Sequence, residues 1–336
     1  MSWLSGWSNR DRITIDHTDV TADLSDFPIK VIVPSTSDLF TVGKSDGADV
    51  RFTSADGKTL LDFEREVHDD TNSIAVYHVK IPLVSSTSDT EIYLYYGNAS
   101  ATDASSPTSV WDSDYKLVLH MDGSLKDSTS NGNDGTNHGS TLGLASDGYY
   151  RSFDGVDDYV DCGTDSSLFP NNITIEAWVR AKTLSRWNGI ISNLTSWGTG
   201  FGLQMGTEQN IAAMVSGTYL KTSWQPSTEV WYHIAATHDA TTNLNVLYVN
   251  GIKEAEVTRA VSYEANPKTY IGVFYTSPSL FFDGLITEVR ISSTARSDAW
   301  IKATSESLSG SLITFEEHES VADWLAKQSH MLAFNF

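Results

Sequence analysis

The sequence predicts an all-β chain of two consecutive antiparallel β-sandwiches closed by a short C-terminal helical tail, and three features carry that expectation. Apolar and polar residues alternate with a period of two along almost the whole chain. Clusters of Gly, Asp, Asn and Ser interrupt the alternation about every ten residues, as turns do between antiparallel strands. Helical periodicity is missing until the tail. At 336 residues there is room for two hydrophobic cores, and 40% hydrophobic with 19% charged residues is the balance of a folded globular protein.

In order along the chain, strands are expected at 12–16, 28–33, 49–53, 73–81 and 91–96, separated by turn pairs such as Asp46 with Gly47 and Asp56 with Gly57. The stretch 97–107 is small, polar and aperiodic, as a linker is, and the first domain is assigned residues 1–112. The second, 113–308, carries strands at 115–120, 173–180, 231–237, 244–249 and 285–291. Asn250 with Gly251 is a hairpin signal, and Trp178 and Trp231 are expected to fill the sandwich core. Residues 309–336 form the tail. Its stretch 319–330 opens acidic and closes with Lys327 and His330, which suits a helix dipole, while Val321, Trp324, Leu325 and Gln328 share one face. So short a helix must bury that face. Two outcomes are open: packing on its own sandwich, or docking of Trp324, Leu325, Leu332, Phe334 and Phe336 on a neighbouring subunit of a homo-oligomer or larger assembly.

The formal charge of −21, from 43 acidic and 22 basic residues, repels phosphate backbones and anionic lipid, so nucleic acid and membrane are excluded as default partners. The single cysteine, Cys162, excludes an intramolecular disulfide and a multi-thiolate zinc site, and is expected as a buried small hydrophobe. Residues 1–10 lack the basic start and apolar run of a signal peptide. A protein of extracellular look without that signal would leave the cell another way, such as assembly into a virus particle released by lysis.

Five motifs occur in order in the second domain: FDGVDDYV at 153–160, ITIEAWV at 173–179, WYHIA at 231–235, LYVNG at 247–251 and FDGLITEVRI at 282–291. Through them it resembles the laminin-G-like, concanavalin A-like family, which implies a jelly-roll sandwich over about residues 113–305. Thr287 stands where that family usually has an acidic residue, which removes support for a metal role there. The first domain resembles an uncharacterised β-sandwich family of microbial surface and phage proteins. Trp7, Arg10, DFP at 26–28, DGADVRF at 46–52, the stretch 61–66 and YLYYGN at 93–98 carry that likeness.

Some enzymes share the concanavalin A-like fold, and glycoside hydrolysis needs two carboxylates flanking the bond. Glu176 and Glu288 are each alone on their strands, while Glu64 and Glu66 lie in the other domain, split by Arg65. No HxH or HExxH pattern and no nucleophile elbow occurs. His120 and His233 follow strand alternation and are expected to be satisfied by backbone groups. The loop 127–135 is dense in oxygens, and Asp154, Asp157, Asp158 and Asp283 add carboxylates. Calcium held near Asp127, Asn131 or Asp283 is one reading, and plain turn chemistry is the other. Sugars stack on exposed rings beside polar loop groups. Trp187, Trp197, Tyr219, Trp224 and Tyr275 lie in loops that could supply such rings, or cover the sheet. The function expected is a non-catalytic, lectin-like adhesion or host-recognition protein on a virion (phage) surface or outside the cell, binding a glycan or host surface. A structural virion protein binding only neighbouring subunits is the alternative, and a polysaccharide-degrading enzyme the third.

Overall fold

The computed structural model describes residues 2–184, 187–194, 198–206, 210–265, 267–274 and 280–333. Every strand expected from the alternation is present, with ends displaced by a few residues. The chain forms two compact units, one of Met1–Val110, Ser146–Gly148 and Ser307–Phe336, the other of Trp111–Ala145 and Tyr149–Glu306.

In the first unit a five-stranded sheet runs in the order Ile313–Ser320, Asn9–Ile15, Thr90–Tyr96, Arg51–Ser54, Leu60–Leu61, and a three-stranded sheet in the order Leu24–Ile32, Ile74–Val84, Phe63–Asp69. Alternate residues of each, Ile13, Ile15, Phe52 and Leu94 from one and Phe27, Ile29, Phe63, Tyr77 and Val79 from the other, are buried. Phe52 meets Phe63 and Tyr77 at ring-centroid distances of 5.4 and 5.5 Å, joining the two sheets in one core. The stretch read as a linker is tied down: Asp103 takes both terminal nitrogens of Arg65 at 3.0 and 2.7 Å, and the Ser106 N–H donates to the Phe63 carbonyl.

The tail is only half helical. Residues Ile313–Ser320 form an edge strand on Asn9–Ile15, with Ile13 opposite Phe315 and Arg10 opposite Glu319, and the helix begins afterwards, at Val321–Ala333. Arg10 is 1% exposed, bonds Glu319 at 2.8 and 2.5 Å, and lies 4.7 Å from the Trp3 ring and 4.0 Å from that of Tyr93. Trp324 is half-buried and lies against Trp3 at 5.8 Å within the same unit, while Leu325 is exposed. The side chain of Leu332, and Phe334 and Phe336, lie outside the described residues.

In the second unit an eight-stranded sheet runs Thr141–Ala145, Gly148–Asp154, Asp283–Ser292, Ile173–Ala181, Trp231–Asp239, Leu244–Val249, Ile252–Thr258, with Tyr115–Leu119 also on Asp283–Ser292. A seven-stranded sheet runs Thr218–Lys221, Asn210–Val215, Phe201–Gly206, Asn188–Ser192, Tyr270–Ile271, Tyr159–Asp161, Thr136–His138. Ile175, Ala177, Val179, Ile234, Ile286, Val289 and Ile291 of the first sheet and Val160, Ile191, Leu203, Ala213 and Ile271 of the second share one core. Asn250 (φ 50°) and Gly251 (φ 75°) both adopt the left-handed turn that the hairpin between Leu244–Val249 and Ile252–Thr258 demands.

Trp178 and Trp231 are not in this core. The alternation places Ile175, Ala177 and Val179 inward, and so turns Glu176, Trp178 and Arg180 to the outer face. There the two indoles lie 6.3 Å apart and nearly parallel. The helix Asp298–Ser309 was also not expected. Ser297 caps it through Oγ to the Trp300 N–H, and Ile301 packs on Ala235, Val246 and Tyr248 of that outer face.

Candidate functional site

Two places in the second unit gather polar chemistry: the outer face of the eight-stranded sheet and that of the seven-stranded sheet.

On the first, the core residues Ile286 and Val289 are three apart rather than two, because a bulge falls opposite the step from Glu176 to Trp178, with Glu288 in the left-handed region at φ 50°. Arg290 stands opposite Glu176 across the strands and donates to Glu288 at 2.7 Å. All three are at most 2% exposed. Burial by itself would raise the Glu176 carboxyl, but His233, Arg290 and Arg296 outweigh it and hold that carboxyl below the usual range. Burial would lower the Arg290 guanidinium, and the charge of Glu288, then Tyr115 and Glu176, turn the balance upward. His120 and His233 face carboxylates rather than backbone, at 3.2 Å from Glu288 and 3.4 Å from Glu176. Thr287 donates to the carbonyl of His120 or, at 2.6 Å, of Tyr149, and so is a strand fastener.

The second face builds an open site. Val160 points into the core, so Tyr159 and Asp161 point outward, and register places His138 beside Tyr159 and Thr136 beside Asp161. The His138 and Tyr159 rings stack at 4.3 Å and 8°, and Tyr270 meets Tyr159 edge-on at 5.7 Å. Lys268 bonds Asp161 at 2.9 Å and lies 5.8 Å from the Tyr270 ring centroid. Two residues along the same strands from the stacked rings, a cavity of about 430 Å³ opens, lined by Asn131, Asp134, Thr136, Asp161, Asp165 and Lys268 among others. Cys162 reaches its floor as a buried residue, and burial pushes its thiol upward, away from reactivity.

The oxygen-rich loop borders this cavity, but its first carboxylate is already committed. Asp127 accepts from the N–H groups of Val118, Thr129 and Asn133 and from the Thr129 hydroxyl, at 2.8–3.0 Å. A cation there would have to compete with four donors. Asn131 donates through Nδ2 to the Tyr115 carbonyl and Thr129 Oγ1. Asp283 shares no partner with them: it accepts from Thr183 at 2.7 Å and sits in register with Asp154. The carboxylates of Asp154, Asp157 and Asp158 lie close together there, and burial, then the charges of Asp154 and Asp157, push Asp158 upward. Replacing Asp127 by Ala would orphan several buried donors, so urea unfolding of Asp127→Ala is expected to show a loss of about 3 kcal/mol, independent of calcium.

Of the aromatic residues expected to bind a ligand, the three that are described fall in two places. Trp187 and Tyr219 pair at 5.3 Å, and Tyr219 packs on the buried Leu194, Met214 and Phe274. Trp224 stands elsewhere, 36% exposed, donating to Glu254 at 3.1 Å and 6.0 Å from Tyr232. Trp197 and Tyr275 lie outside the described residues. Sequence reasoning missed His138, Tyr159 and Tyr270, whose strands of two or three residues are too short to show a period, and Lys268, which stands just before the strand Tyr270–Ile271. The one available signal was the step Tyr159, Val160, Asp161 inside a recognised motif.

Residues 153–302 match the family model described as the concanavalin A-like lectin/glucanases superfamily, and residues 46–133 match a domain of unknown function. No curated protein sequence matches the chain. Among solved structures it is similar to domain 4 of AbnA, a GH43 extracellular arabinanase from Geobacillus stearothermophilus, in complex with arabinotriose. That match has 21% identity and a TM-score of 0.49, covering 57% of this chain and 98% of the other. It is also similar to the binding domain of Paraclostridial Mosquitocidal Protein 1 (15% identity, TM-score 0.48, 58% and 52% covered) and to the receptor-binding domain of botulinum neurotoxin D (15%, 0.44, 57% and 52%). The chain spans about half the length of these two toxin binding domains. Motif order and sandwich topology agree with the family model: residues 153–302 match the concanavalin A-like lectin/glucanases superfamily model, and the stretch that precedes and enters this unit, 46–133, matches the domain of unknown function.

Proposed function

We propose that the second unit is a non-catalytic, lectin-like module that binds a saccharide on the outer face of its seven-stranded sheet, in an adhesion or recognition role at a virion or cell surface. The observation that carries this reading is the juxtaposition of a ring stack, His138 on Tyr159, with a polar cavity two residues along the same strands. A sugar's apolar face stacks on such rings while its hydroxyls need fixed acceptors and donors. A hydrolase of this superfamily would instead need one protonated carboxyl and one free one. Glu176 and Glu288 share Arg290 between them, are buried, and have no part in the cavity, which supports the reading without catalysis.

The test is titration calorimetry with oligosaccharides, after a glycan array has found a binder. Tyr159→Ala and His138→Ala are each expected to weaken binding about tenfold, near 1.4 kcal/mol, with the melting temperature kept. Trp224→Ala is expected to leave the affinity unchanged. Binding lost with Trp224 and kept without Tyr159 would place the site elsewhere.

A further inference from the structure

The charge of the cavity narrows the class of saccharide it takes, an inference that rests on the glycan-binding reading above. Three carboxylates line the cavity, Asp134, Asp161 and Asp165, against one cation, Lys268. Lys268 is engaged with Asp161 at 2.9 Å, so it leaves the charge of the other two uncompensated. Each carboxylate has one oxygen fixed by a backbone donor: Asp161 by the Gly163 N–H at 2.8 Å, Asp165 by that of Ser167 at 2.9 Å, Asp134 by that of Asp127 at 2.8 Å. The Ser167 bonds also hold the Asp165 carboxyl below the usual range, so it stays ionised near neutral pH. These groups are therefore oriented acceptors, and the chain's net charge of −21 adds to their field.

We infer that this cavity selects uncharged saccharides and discriminates against uronate-, sulfate- or sialate-bearing ones. Sugar hydroxyls donate to the second oxygens of Asp134 and Asp165, and the sugar's apolar face lies on the outer face of the stack, on the exposed His138 ring that Tyr159 backs. An anionic substituent placed in the same position meets two carboxylates and no spare cation among the lining residues.

The experiment uses the full chain and pairs of polysaccharides that share a backbone, such as unsubstituted xylan with glucuronoxylan and agarose with its sulfated form, with chitosan as the cationic probe. The neutral member is expected to bind about tenfold or more tightly than its anionic counterpart at about 20 mM salt, with the gap narrowing at about 300 mM. Changing Asp134→Asn together with Asp165→Asn is expected to narrow the gap as well. Equal or tighter binding of the anionic member would overturn the inference and leave the glycan reading standing, and so would binding confined to chitosan. No binding of any of these, nor of any glycan on a broad array, by a protein with an intact melting transition would instead bring down the glycan reading itself.

Discussion

Replacing Arg290 by Leu is expected to cost about 3–5 kcal/mol of stability at neutral pH. The change removes the cation shared by Glu176 and Glu288 while leaving both carboxylates at most 2% exposed. Breaking a buried ion pair from one side strands the other charge, and that cost exceeds what the pair contributes net. The pH dependence has a definite sign. In the native protein the Glu176 carboxyl lies below its ordinary value of 4.5, so its contribution is present above that pH and is lost as pH falls through the lowered value. Without Arg290 that lowering shrinks, with His233 and Arg296 left to oppose burial, so the variant has less of this stability to lose as pH falls. The difference between native and variant proteins is therefore widest near neutrality and narrows below about pH 5. Chemical unfolding at several pH values measures it. Neutralising the site further, with Glu176→Gln and Glu288→Gln added to Arg290→Leu, is expected to recover part of the loss.

The second large effect belongs to the other end of the molecule. Truncation after Ser309 is expected to unfold the first unit, because it takes away the strand Ile313–Ser320 that closes the edge at Asn9–Ile15. It also leaves Arg10, 1% exposed, without Glu319, and Trp3 without Trp324. The single change Glu319→Ala isolates the ionic part and is expected to cost about 3 kcal/mol. Amide hydrogen exchange reads both: protection across 9–15 should vanish on truncation, while the strand Ile173–Ala181 of the second unit keeps its own. Persistent protection at 9–15 in the truncated chain would mean that the tail is an appendage and not a structural strand.

How much of this was legible in the sequence depends on whether the cause was local. A strand such as Ile173–Ala181 announces itself, because the inward Ile175, Ala177 and Val179 alternate with Glu176, Trp178 and Arg180. Trp178 was misplaced by its size: the inward set of Ile, Ala and Val residues was written in the same segment, but an indole invites a core assignment. The helix Asp298–Ser309 was hidden by its three serines and one threonine, which read as turn residues. Its inward positions Ile301, Thr304, Ser305 and Leu308 nonetheless follow helical spacing. The strand Ile313–Ser320 could not be read, because its acidic run looks like a helix start and the partners that justify it, Arg10 and Arg12, lie some three hundred positions away. The candidate site failed for the same reason. His138, Tyr159 and Tyr270 come together only through pairing of strands far apart in sequence, so no window contains them. The oxygen-rich loop was found, but the density of oxygens alone did not show that Asp127 spends its carboxylate on the loop's own N–H groups.

The measurement that tests the proposed function most directly is a crystal structure of the chain with a bound oligosaccharide, accompanied by an assay for new reducing ends in the same solution. The proposal predicts the sugar on the Tyr159 and His138 rings, its hydroxyls reaching Asp134 and Asp165, and the oligosaccharide recovered intact. A sugar lying beside Glu176 and Glu288, or on the Trp187 and Tyr219 pair, or reducing ends that accumulate with time, would contradict it.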